Sequence, residues 1–180
     1  MFRERMIVIF GVCLAGLVTE LHAQVTNTAS LEVVGGPLAG KHTLDVSDVG
    51  CTIFEANKER NKPKYFDVNF GLPPTDPRSR DPRALTFVKV TIRNASVKGP
   101  VPQEEYEAAV TFGPLLDRDR ETFYMSGFNP TMGRKGGTGI VTLKDEGKSA
   151  EVTLDLQPKP GVTVKGTVTC TRVNTRLGGK

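Results

Sequence analysis

Period-two alternation is the feature that most restricts what this chain can fold into. Over residues 86–93, Val88, Val90 and Ile92 fall on one side, with Lys89, Thr91 and Arg93 on the other. Over 150–156, Ala150, Val152, Leu154 and Leu156 oppose Glu151, Thr153 and Asp155, and over 162–170, Val162, Val164, Val168 and Cys170 oppose Thr163, Lys165, Thr167 and Thr169. Successive side chains of an extended chain point to opposite faces, so each segment reads as a strand with one buried face. Further strands are expected at 30–35, 41–48, 51–56, 64–70, 105–112, 121–127 and 138–144. Within 103–112, acidic residues after Pro102 are compatible with a helix start, but Tyr106, Ala108, Val110 and Phe112 alternate with polar or small neighbours, which favours strand.

Turn signals punctuate these strands. Gly35-Gly36-Pro37 separates the first two, while Asp145-Glu146-Gly147-Lys148 and Pro158-Lys159-Pro160-Gly161 each close a hairpin. Short strands with frequent turns predict an all-β fold, a two-sheet antiparallel sandwich or partly open barrel of about eight to ten strands. The chain is not recognisable as an immunoglobulin domain: it has no Trp, and Val168 stands where a tyrosine corner belongs.

The first 23 residues carry the marks of a secretory signal. Arg3 and Arg5 precede an uncharged run from Met6 to Val18, and Ala23 offers a small residue for cleavage before Gln24. That run is shorter than the roughly 20 residues a membrane span needs. A lipid anchor would use Cys13, but Phe10-Gly11-Val12 lacks the usual small residue beside the cysteine. Residues 24–180 are then expected to form one domain, exported to a periplasm or the extracellular space. Residues 1–23 hold Arg3, Arg5, Glu4 and Glu20, so their removal leaves the net charge of +4 unchanged.

What remains after cleavage is one histidine, His42, and two cysteines, Cys51 and Cys170. An even pair in an exported chain predicts a disulfide. Cys170 lies on the apolar side of its strand and Cys51 shares parity with Ile53, so both thiols are expected to face one core. A zinc site is disfavoured, since no C-x-x-C is present and His42 alone cannot complete a ligand set. No metal and no cofactor are expected.

Two stretches stand out as candidate ligand-binding segments. The first is 71–84, in which four prolines imply an extended loop bearing Arg78, Arg80 and Arg83 beside Asp76 and Asp81. Arginine forks suit carboxylate, sulfate or phosphate, although a solvated connection has the same composition. The second is a basic patch of Lys58, Arg60, Lys62 and Lys64, to which Arg134, Lys135 and the tail residues Arg172, Arg176 and Lys180 add if the fold brings them together. A net charge of +4 without a reader motif argues against nucleic acid.

Other motifs read as structural. Residues 133–139, Gly-Arg-Lys-Gly-Gly-Thr-Gly, match neither phosphate-loop spacing and precede a strand, so their glycines are expected to serve positive φ. Asp117, Asp119 and Glu121 alternate with arginines and lack the EF-hand pattern for Ca²⁺. Ser126 lacks the first glycine of a nucleophile elbow, and His42 reads as a strand residue at the core edge. Asn94-Ala95-Ser96 is a glycosylation sequon where the host modifies such sites. The expectation is an exported non-catalytic binding or structural module that engages another envelope or extracellular protein or a polyanionic surface. Two alternatives are a hydrolase working with carboxylates alone and a polyanion binder using basic loops.

Overall fold

The computed structural model describes residues 26–47, 50–59, 61–114, 122–130 and 133–177. The expected signal segment, Arg60, the Asp117–Asp119–Glu121 cluster and Lys180 lie outside them.

The fold is a two-sheet β-sandwich that does not close into a barrel. In chain order the strands are β1 (Thr26–Val34), β2 (Gly40–Ser47), β3 (Cys51–Phe54), β4 (Tyr65–Gly71), β5 (Leu85–Ile92), β6 (Pro100–Val101), β7 (Tyr106–Phe112), β8 (Phe123–Asn129), β9 (Arg134–Lys135), β10 (Thr138–Asp145), β11 (Ala150–Lys159), β12 (Val162–Cys170) and β13 (Asn174–Arg176). One sheet runs β2-β1-β12-β11-β10-β6, the other β13-β3-β4-β5-β7-β8-β9. All the strands expected from alternation are present. Three short ones, β6, β9 and β13, are added, and alternation over two or three residues carries no legible pattern. β13 pairs with β3 in parallel, so the second sheet is mixed rather than purely antiparallel.

The inner faces supply the core. Phe66, Val68 and Phe70 of β4, Val88, Val90 and Ile92 of β5, and Tyr106, Ala108, Val110 and Phe112 of β7 are buried against Val152, Leu154 and Leu156 of β11 and Val164 and Val168 of β12. Each large apolar side chain so buried contributes on the order of 1.5–3 kcal/mol. The segment before β7 satisfies both of its signals: residues 103–105 form a single 3-10 turn, and the strand begins at Tyr106. On the outer face of the first sheet, register aligns Thr43, Ser30, Thr167, Thr153 and Thr142 in one hydroxyl row across five strands.

The disulfide joins Cys51 of β3 to Cys170 of β12, with both residues fully buried. It links the two sheets. The chain also passes between sheets at residues 134–138, where β9 on the edge of one hands over directly to β10 of the other. The glycines here serve two purposes, only one of which was expected. Gly133 and Gly139 have positive φ. Gly136 and Gly137 do not, and are required instead because a Cβ would strike the Met125 carbonyl at one and the Gln157 carbonyl and Pro158 at the other.

Candidate functional site

The Pro-rich segment is not simply extended. Pro77–Arg80 is a 3-10 turn whose N-cap, Asp76, accepts a hydrogen bond from the Arg78 backbone, with Pro at the first turn position. Asp76 also takes the Arg78 guanidinium at 2.8 Å, and that pairing holds its carboxyl below the ordinary carboxylate range. Arg78 is therefore occupied locally, whereas Arg80 and Arg83 are exposed.

This loop follows the far end of β4, while the Lys58–Lys64 stretch precedes its near end. Seven residues of strand put about 23 Å between them. The two described stretches therefore lie at opposite ends of that strand. Lys64 is bound to Asp145 at 2.7 Å and lies 3.8 Å from Glu55, so it clamps the β10–β11 hairpin to the start of β4. Its pairing to Asp145 raises its pKa. Arg176 is brought next to Glu55 by the parallel β13, the Glu55 N–H donating to the Arg176 carbonyl, so one tail arginine does reach the Lys58–Lys62 corner. Arg134 and Lys135 of β9 lie four strand spacings from β4, about 19 Å away.

His42 is consumed by packing. Its ring stands edge-on to Phe112 at 4.7 Å and its Nε2 donates to the Leu38 carbonyl at 2.9 Å. Ser126 is fully buried on β8 with its hydroxyl unpaired, closed off from any substrate. Asn94 turns the chain after β5, its side chain accepting the Ser96 N–H at 3.4 Å.

Two arrangements emerge that sequence order hides. The first lies on the outer face of the second sheet. Register places Asp67, Thr91 and Glu107 in one row across β4, β5 and β7. Thr91 Oγ1 donates to Asp67 at 2.8 Å, and Tyr65 donates to the same oxygen at 3.4 Å. Glu107, only 6% exposed, accepts from Lys89 at 3.3 Å and from Asn129 at 2.9 Å. Burial pushes the Asp67 carboxyl up, with Thr91 and Lys89 opposing the shift. Each residue was visible as a polar position on an alternating strand, but their meeting depends on strand order.

The second is an open groove of about 610 Å³ along the seam between the sheets. Its walls are the 135–138 crossing, the end of β11 and the β11–β12 turn, with Lys135, Thr138, Gln157, Lys159 and Thr163 as the polar lining. The β11 ladder slips between Leu156 and Lys159, a bulge that turns Lys159 toward Tyr124, and its Nζ lies 4.9 Å from that ring centre. Neither Lys135 nor Lys159 makes an ion pair with a described residue, and none of the lining residues is acidic. No protein family, curated protein or solved structure matches the chain. The site therefore rests on this chemistry alone. Lys135 was picked out in the sequence as part of a basic patch; Lys159 was hidden in a segment readable only as a turn. Among the described residues no three His, Cys, Asp or Glu side chains group as metal ligands.

Proposed function

We propose that the chain is exported and works as a non-catalytic binding module, with the seam groove as its contact site. One contrast carries this reading. Lys64, Arg78 and Lys89 are each paired to a carboxylate within the molecule, whereas the concave groove gathers two lysines without an ion-pair partner among the described residues and no acidic residue. Pairing a charge internally spends it on the fold, and an uncompensated cation in a concave site favours an anionic partner. The buried disulfide, which persists in oxidising compartments, supports export.

A photo-crosslinking residue placed at Thr163 in the groove, and separately at Thr153 on the outer face of the first sheet, tests this in the source cells. Capture of one reproducible species, protein or glycan, from Thr163 and not from Thr153 is expected. Equal capture from both positions removes the groove from the reading.

A second reading, a hydrolase using carboxylates alone, is favoured by the Asp67–Thr91–Glu107 row. Asp67, raised by burial, shares that row with a second carboxyl, Glu107, which accepts from Lys89 and Asn129, and a pair of carboxyls is the minimum such a hydrolase requires. Any hydrolytic activity found by screening should vanish in Asp67→Asn while the variant still folds and melts cooperatively. Persistence of the activity retires this reading.

A further inference from the structure

We infer that the ligand of the seam groove is an acidic carbohydrate, a sugar chain bearing carboxylates or sulfates; this rests on the binding-module reading above. Three features select that class. The lining carries two ammonium groups and no carboxylate, so a neutral ligand would leave both cations unmatched. Its remaining polar groups are Thr138, Thr163 and Gln157, donors and acceptors suited to hydroxyls, and Pro158 and Pro160 complete the lining.

The third feature separates a sugar from an acidic peptide. A second depression of about 230 Å³, sharing Lys135, continues the site past Gln103, Glu104 and Phe128. Glu104 accepts hydrogen bonds from sugar hydroxyls, whereas the ionised side chains of an acidic peptide bring it no donor. Phe128 is the one aromatic side chain in that lining, and the Arg93 guanidinium stands 5.7 Å from its ring. A chain with its anionic group at Lys135 and Lys159 and its hydroxyls toward Glu104 satisfies both depressions. The contact area joins residues from both sheets, so it exists only in the folded molecule.

The test titrates the purified protein with polygalacturonate, dextran sulfate, neutral dextran and poly-L-glutamate, at two salt concentrations. Polygalacturonate or dextran sulfate should bind, and whichever does identifies carboxylate or sulfate as the anionic group. Neutral dextran and poly-L-glutamate should bind at least tenfold more weakly, and added salt should weaken the productive pair. The Lys135→Gln, Lys159→Gln double variant should lose at least tenfold in affinity with its melting curve unchanged, while Lys58→Gln, Lys62→Gln should not. Failure of both acidic polysaccharides, equal binding of poly-L-glutamate, or indifference to the groove variant each overturns the inference. Capture at Thr163 alongside such a failure would overturn the ligand class and leave the binding-module reading standing.

Discussion

Cys51 and Cys170 meet across the sandwich with their Cα atoms 6.1 Å apart, although 119 residues separate them in sequence. The bridge therefore holds one sheet to the other and closes the chain from β3 to β12 into one loop. In the chain-entropy account such a loop stabilises by about 4–5 kcal/mol, acting mainly on the unfolded state. Cys51→Ala, Cys170→Ala should lower the melting temperature by about 10–20 °C at this chain length. Calorimetry of the two forms checks it, and an unchanged midpoint would mean that the core alone sets the stability.

Asp67 gives the protein a pH-dependent weakness. Its pKa is raised chiefly by burial, so the folded state holds its proton more tightly than the unfolded chain. The stability that follows is fully present below the unfolded carboxyl pKa and is lost as pH rises through the folded one. Asp67→Asn keeps an oxygen to accept from Thr91 and removes the buried charge. Urea unfolding of both proteins should show the variant gaining on the parent as pH rises from about 4 toward 7, in the direction linkage requires. A constant gap across that range would show that the carboxyl is not burdened by burial.

Arg93 closes the start of β7 onto β8. Its Nη2 donates to the carbonyls of Phe128 at 2.6 Å, Glu104 at 2.8 Å and Tyr106 at 3.4 Å. Removing a charged donor leaves those carbonyls short of a partner, so Arg93→Ala should cost about 2–3 kcal/mol. Arg93→Lys should recover less than half, because a single ammonium cannot reproduce the planar fork. Denaturant midpoints of the three proteins decide it.

Gly137 tests the seam directly. A methyl group there falls against the Gln157 carbonyl and Pro158, both backbone, and cannot be relieved by moving a flexible side chain. Gly137→Ala should destabilise by about 1–3 kcal/mol, the usual range for overpacking. It should also disturb the groove. A melting point within a degree of the parent would show that the crossing is looser than this geometry states.

Lys64 and Asp145 offer a double-mutant cycle. Both side chains are about one-fifth exposed, at 23% and 20%, and one bond of 2.7 Å joins β4 to the β10–β11 hairpin. Burial pushes the Asp145 carboxyl up, but the hydrogen bonds from Lys64 and the Gly147 N–H outweigh it and leave the pKa lowered. A depressed carboxyl contributes stability above its unfolded pKa and loses it as pH falls through the folded one. The coupling energy should be about 1 kcal/mol at neutral pH and fade in acid below the ordinary carboxylate range.

Alternation in β5, β11 and β12 was enough to assign their buried faces, and the turn residues placed their boundaries except at the end of β11, which runs on through Pro158 and Lys159. The Cys51–Cys170 bridge was legible for the same reason, since both positions carried core parity. These properties are local: the side-chain period of an extended strand is set by its own backbone, whatever lies beside it. Asp67, Thr91 and Glu107 were each readable as outward-facing, yet nothing local joined them, because strand neighbours are chosen by backbone hydrogen bonds that carry no residue code. The same holds for Lys135 and Lys159, and for Arg176, which a three-residue parallel strand carries to the Lys58–Lys62 corner. The sequence by itself determined which segments extend, which faces are buried and which cysteines pair. Only the tertiary structure decided which charges are neutralised within the fold and which remain for a partner, because that depends on distances between residues far apart along the chain.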